Sequence, residues 1–170
     1  MHALKIAGGL LLVVCGALGG LYFAERAKKR LAFLEAYEAF LQAASSLVSS
    51  CEAELSQILE FAVNNDYLHD IGSSAKRAIE NGTDPRIIWK KTAAQTAIKG
   101  EICTDDIELI SGFADYDGEE DSTARAGKIT FLLDRTRQRL SALKKETDEK
   151  RRLYRILGTF VGALAAAILI

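Results

Sequence analysis

Ser73 and Lys76 stand three residues apart, the Ser-x-x-Lys spacing that lets an amine take the proton of a hydroxyl nucleophile. The match is a single one in a helical stretch, with no second element of such a site beside it, and it carries little weight. His69 is a lone loop residue and His2 lies near the amino terminus, far from it in sequence. Cys15, Cys51 and Cys103 show no Cys-x-x-Cys spacing, and an odd cysteine count fits free thiols in a reducing compartment. Asp115, Asp117 and Glu119 alternate as in a calcium loop, but Gly118 falls at the fourth place and Ala126 at the twelfth. A calcium loop needs glycine sixth and a bidentate glutamate twelfth, so Asp115–Asp121 reads as a solvated acidic loop. No glycine-rich phosphate loop follows a strand, because the sequence shows no strands. An enzyme is not expected, and neither a metal nor a cofactor.

The chain's strongest chemistry is apolar and lies at both ends. Ile6–Ala24 has no charge over 19 residues, or roughly 28 Å of helix, which matches the hydrocarbon core of a bilayer. Its length, and the poor processing site at Tyr22–Arg26, argue against a cleaved signal peptide. Val13-Val14 ahead of Cys15 argue against a lipoprotein. Ile156–Ile170 is a second uncharged run of 15 residues, roughly 22 Å long. It serves as a span if Leu153 and Tyr154 add depth and Arg155 snorkels to the headgroups. Gly16, Gly20 and Ala24 form one stripe of small residues, and Gly158, Gly162 and Ala166 another. Such stripes let helices approach closely in lipid. Arg26, Lys28, Lys29 and Arg30 follow the first run, and Lys144, Lys145, Lys150, Arg151, Arg152 and Arg155 precede or enter the second. By the bias of Lys and Arg toward the cytoplasmic side, the middle is expected in the cytoplasm.

That middle must be helical. The single proline is Pro85, and proline is what most often breaks helices. Between Glu25 and Arg155 the acids outnumber the bases by two, which offers no nucleic-acid surface. Leu34, Tyr37, Leu41, Ala44, Val48, Cys51, Leu55, Ile58 and Ala62 repeat at alternating spacings of three and four, a coiled-coil-like seam. Ser45-Ser46 and Ser49-Ser50 weaken this helix midway, and Asn64-Asn65-Asp66 ends it. A shorter helix is expected over Ser73–Glu80, closed by Asn81-Gly82. Thr83-Asp84-Pro85 starts the next, with Ile87, Ile88, Ala94 and Ile98 as its buried face, which Trp89 can join, and Gly100 as its end. Asp105 and Glu108 have capping-box spacing ahead of Ile107, Leu109 and Ile110. A last long helix starts near Ser122, with Ile129, Leu133, Thr136, Leu140 and Leu143 as its seam. The expectation is all-α: an antiparallel helical bundle over residues 25–152, between transmembrane helices at 6–24 and 153–170.

The end of the chain carries a resemblance. Lys150-Arg151-Arg152-Leu153-Tyr154-Arg155-Ile156-Leu157-Gly158, followed by Gly162 in a short terminal run, resembles the stage III sporulation protein AB family of endospore-forming bacteria. The opening run with Phe23-Ala24 before its basic cluster, and the pair Gly118/Asp121 before the long helix, are similar as well. The family's Thr-Pro-Leu element has no counterpart in Ser49–Gln57, which contains no proline. The resemblance implies a cytoplasmic helical domain similar to that of type II secretion and type IV pilus platform proteins. It also implies a secretion-type ATPase as partner, together with other membrane subunits, in a complex between mother cell and forespore. The expected role is thus a non-enzymatic membrane adaptor in the mother-cell membrane around the forespore. Asp115, Asp117 and Asp121 of the acidic loop, and Lys150, Arg151 and Arg152 of the stem, are the expected partner contacts. Tyr154 and Arg155 mark membrane entry, and Gly16, Gly20, Gly158 and Gly162 the packing of spans. A self-assembling, homo-oligomeric scaffold held by those glycines and the heptads is the alternative.

Overall fold

With one proline in 170 residues, little forces the backbone out of helix, and helix is what it forms. A computed structural model describes residues 2–50, 54–98, 102–118 and 122–169, with side chains for 25–49, 54–98, 102–115 and 123–149. Among the described residues every regular element is helical: α1 His2–Ser50, α2 Leu55–Val63, α3 His69–Glu80, α4 Pro85–Ile98, α5 Ile107–Ser111 and α6 Ser122–Leu169. Two 3-10 segments, Thr104–Asp106 and Gly112–Gly118, bracket α5. The acidic loop is therefore wound into helix through Gly118.

Contacts divide the chain into two compact units, Arg30–Ser141 and the paired ends Met1–Lys29 with Ala142–Ile170. The backbone of the ends is helical. The proposed spans 6–24 and 153–170, with Gly16, Gly20, Tyr154, Arg155, Gly158 and Gly162, have side chains outside the described residues. Among the described residues no helix is long and apolar enough to cross a membrane. The all-α expectation is thus met, while the flanking spans rest on the sequence.

The seam of α1 buries Leu34, Tyr37, Leu41 and Ala44, and α2 continues it with Ile58 and Ala62. Phe33, Phe40 and Leu59 widen the stripe, as a helix packed on more than one neighbour requires. The serines act as expected: Ser46 Oγ donates to the Ala43 carbonyl and Ser49 Oγ to that of Ser45, bonds that compete with the helix ladder. α1 ends at Ser50, and α2 ends at Val63, with Asn64 as its cap. α3 starts at His69, four residues earlier than expected, where the His69 Nδ1 donates to the Val63 carbonyl at 2.7 Å. It closes in a Schellman motif: the Thr83 N–H reaches the Ala78 carbonyl at 2.8 Å and the Gly82 N–H that of Ile79 at 3.1 Å. Gly82 takes φ +67°, a left-handed conformation open to glycine at no cost.

The expected face of α4 was wrong. Ile87 and Ile98 are 62% and 86% exposed, and the buried residues are Trp89, Ala93 and Thr96. The reason is tertiary. Trp89 stacks on Phe40 with ring centroids 5.7 Å apart and lies 4.8 Å from Phe113, and its indole N–H must find an acceptor once buried. That requirement turns the helix away from the isoleucines. Gly100, the expected end, lies outside the described residues. The last helix begins at Ser122 and buries Ile129, Leu133, Thr136, Leu140 and Leu143, as its seam predicts.

Two tests follow from these contacts. A Cβ on Gly72 would lie 2.6 Å from the Ala62 Cβ and 2.9 Å from α2 backbone, so Gly72→Ala must separate α2 from α3. It should lower unfolding stability by about 1–3 kcal/mol in urea titrations followed by circular dichroism. At the start of α4, Asp84 accepts from the Arg86 N–H at 2.9 Å and from its guanidinium at 3.0 Å, which holds the carboxyl below its ordinary 3.8. A lowered folded pKa contributes stability above about pH 3.8 that is lost as pH falls through the folded value. Asp84→Asn should accordingly be less stable than wild type near neutrality, and the two should converge in acid.

Candidate interaction surface and its buried carboxylate

Asp106 has apolar residues three, four and seven positions on, Leu109, Ile110 and Phe113, all buried. It therefore lies on the core side of the 104–118 segment, and its carboxylate is only 2% exposed. A buried carboxylate needs a cationic partner and full hydrogen bonding, and two arginines supply both. Arg30 of α1 donates through Nε at 2.6 Å and Nη2 at 2.9 Å, a bidentate fork. Arg139 of α6 donates through Nε at 3.0 Å. The fork and the adjacent negative charge raise the Arg30 pKa further above its already high value.

From this triad the segment runs alongside both long helices. Toward α1, the Tyr37 hydroxyl donates to the Leu109 carbonyl at 3.1 Å, and Phe113 packs edge-on against Phe40 at 4.8 Å. Toward α6, a Cβ on Gly112 would lie 2.9 Å from the Leu132 Cδ2, and Lys128 Nζ donates to the Asp115 carbonyl at 2.7 Å. Residue numbers rise along α1 and fall along α6 over the same ten positions, so the two helices run in opposite senses here. α4 grips the segment through the Trp89 Nε1, which donates to the Ile110 carbonyl at 2.8 Å, and through Lys90, 2.7 Å from the Asp115 carboxylate. Complete burial raises the Tyr37 phenol pKa, so the hydroxyl stays a donor.

Asp115 is exposed, as a partner contact requires, but it is tied at home by Lys90 and Lys128. The side chain of Asp117, and all of Asp121, lie outside the described residues, as do the side chains of Lys150, Arg151 and Arg152. Of the expected contact residues, only Asp115 has a described side chain. The Asp105/Glu108 capping box does not form: Cys103 and Asp106 hold the cap positions, and neither makes a side-chain cap bond. Asp105 points to Arg139 instead, at 3.5 Å. Asp106 went unnoticed in the sequence, although its spacing to Leu109, Ile110 and Phe113 marks it as core-facing.

Other chemistry is occupied or small. Lys76 Nζ pairs with Glu60 at 3.0 Å and Ser73 Oγ donates to the Asp70 carbonyl at 3.4 Å, so the Ser-x-x-Lys pair is engaged elsewhere. Among the described residues no group of His, Cys, Asp and Glu could hold a metal. An apolar notch lined by Leu55, Leu59, Ala75, Pro85, Trp89 and Phe113 has about 10 Å³ free. Small-molecule sites are roughly 300–1,000 Å³, so the notch takes a water at most. What is left for function is surface.

A family model described as stage III sporulation protein AB (spore_III_AB) matches residues 5–170. This chain belongs to that family. A solved structure named Stage III sporulation protein AB (SpoIIIAB) superposes with a TM-score of 0.62 at 13% identity, covering 71% of this chain and 97% of the other. At that identity the likeness shows a shared fold. A comparison with curated proteins gives no significant match. The family match spans both apolar ends and the helical middle together, and Arg30, Asp106 and Arg139 lie within it.

Asp106→Ala leaves two arginines facing a buried gap. Arg30 and Arg139 keep 21% and 39% of their side chains exposed and can rehydrate, so the cost falls below the roughly 3–5 kcal/mol of a fully buried pair, whereas replacing the whole set with apolar residues is often neutral. Asp106→Ala should therefore unfold the chain at lower urea concentration. A triple Arg30→Met/Asp106→Leu/Arg139→Met variant should recover most of the loss.

Proposed function

We propose that the chain is a non-enzymatic membrane adaptor of a sporulation complex, which tethers a cytosolic secretion-type ATPase to membrane components between mother cell and forespore. The observation that carries this reading is the family match over residues 5–170, which makes a sporulation role the starting point. Three further points support it. The sequence at both ends has the length and flanking charge of membrane anchors, with the bias of Lys and Arg placing the middle in the cytoplasm. The Arg30–Ser141 unit is a helical body whose buried polar groups, among them Asp106, Tyr37 and Trp89, bond within it. Its free chemistry is surface, which suits docking and not turnover.

The scaffold alternative draws on the sequence: the Gly16/Gly20 and Gly158/Gly162 stripes let helices of neighbouring copies approach closely in lipid.

Affinity purification of the full-length chain from membranes of sporulating cells should enrich a secretion-type ATPase over a control that carries only the two end segments. Absence of such enrichment counts against the adaptor. Gly16→Ile with Gly20→Ile should reduce packing of the ends without loss of the ATPase. If neither quantity moves, the glycine stripes have no packing role.

A further inference from the structure

The side of α4 opposite Trp89 carries Ile87, Lys91, Ala94 and Ile98 at spacings of four, three and four. Ile87 and Ile98 are 62% and 86% exposed. Single exposed apolar residues are ordinary, but several on one helix face form an unpartnered stripe. Its charge has one sign: Pro85–Ile98 contains Arg86, Lys90 and Lys91 and no acid.

The opposite composition occurs in α2 and its connection to α3. Residues 54–70 contain Glu54, Glu60, Asp66 and Asp70 and neither Lys nor Arg, and here Phe61 and Tyr67 are 46% and 48% exposed. α3 packs against both α2 and α4, so both exposed segments are carried on one helix. Home ion pairs use part of this charge, through Arg86 with Asp84, Lys90 with Asp115 and Lys76 with Glu60. Lys91 on one face, and Glu54, Asp66 and Asp70 on the other, are exposed.

We propose that copies of this chain associate head to tail, the α4 face of one against the α2–α3 face of the next. The occupant is a second copy because the chain itself carries both halves of the complementary pair. A two-fold contact of α4 on α4 would set Lys91 against its own equivalent, and like charges across an interface are costly. A contact between two different faces of identical chains is heterologous, and it closes into a ring or extends as a filament. This surface is independent of the ATPase reading and of the glycine stripes.

The test uses the full-length chain in detergent micelles, followed by sedimentation velocity over a range of concentrations. Ile87→Ser/Ile98→Ser removes one face and Phe61→Ser/Tyr67→Ser the other. All four side chains are exposed, so the fold is retained, which circular dichroism verifies. Each variant alone should associate at least about tenfold more weakly than wild type, a loss of about 1.4 kcal/mol. Mixed in equal amounts, they should form a dimer that grows no further, because each contributes the face the other lacks. Wild-type association should also weaken as salt rises.

A monomeric wild type, variants that associate as wild type does, or a mixture that stays monomeric would each overturn the proposal. Loss of ATPase capture by Ile87→Ser/Ile98→Ser with unchanged association would assign the α4 face to that partner instead. Quenching of an Ile98→Trp reporter by brominated lipid in nanodiscs would assign it to the bilayer. Either result excludes the second copy.

Discussion

The segment 104–118 is built from two 3-10 pieces and one short helix, and the rest of the Arg30–Ser141 unit is organised around it. Helices satisfy their own backbone; short 3-10 pieces and a five-residue helix do not. Their carbonyls and carboxylates must be met from outside, and the partners come from three different helices. α1 gives Arg30 and Tyr37, α4 gives Trp89 and Lys90, and α6 gives Lys128 and Arg139. Hydrophobic contact alone would let these helices slide or rotate against one another at little cost, because apolar attraction has no direction. Hydrogen bonds to fixed carbonyls and one buried carboxylate do have direction, and they fix both register and rotation. The carboxylate's ion pairing is weak evidence for stability. Its value here lies in register, since one carboxylate accepts from both long helices at once.

The rotation of α4 shows that constraint at work. On its own sequence the helix offers two possible buried faces, one aliphatic and one built on Trp89. Burying the aliphatic face would gain several apolar side chains. It would also leave a large aromatic ring in water and cost the indole N–H its bond to the Ile110 carbonyl, made at 2.8 Å. The Trp89 face wins because it adds packing with Phe40 and Phe113 to that hydrogen bond. The consequence is an aliphatic stripe on the surface that no element of the Arg30–Ser141 unit covers.

Much of the fold was legible in the sequence for a physical reason. Spacings of three and four, serine pairs, Asn-Gly and Asp-Pro are local signals, and α1, α2, the close of α3, the start of α4 and the seam of α6 all obey them. What was not legible was long-range. Whether Asp105 or Asp106 faces inward depends on Arg30 and Arg139, which are 76 and 33 residues from Asp106. Whether Ile87 or Trp89 is buried depends on Phe40 and Phe113. The acidic residues at 115–121 resembled a free loop because their composition is that of a loop, yet Lys90 and Lys128 hold Asp115 from two separate helices. Charge composition reports solubility, while a charge's task is set by what tertiary structure brings to it.

This bears on the adaptor role proposed for the chain. A docking protein needs its surfaces held at fixed angles, since any slack between them is lost as ordering entropy on binding. Helix propensity cannot supply that, because it fixes each helix but not its neighbour. In this unit the angle between helices is set by directional bonds to a shared central segment, and the outward faces of α2 and α4 are carried on that frame through their packing on α3. The polar residues that a search for catalysis would single out, Asp106, Arg30, Arg139 and Tyr37, are the ones committed to the frame. The residues free to meet other molecules are apolar ones such as Ile87, Ile98, Phe61 and Tyr67, which a search for chemistry passes over. Function in this unit is therefore to be sought in what the buried polar network leaves at the surface.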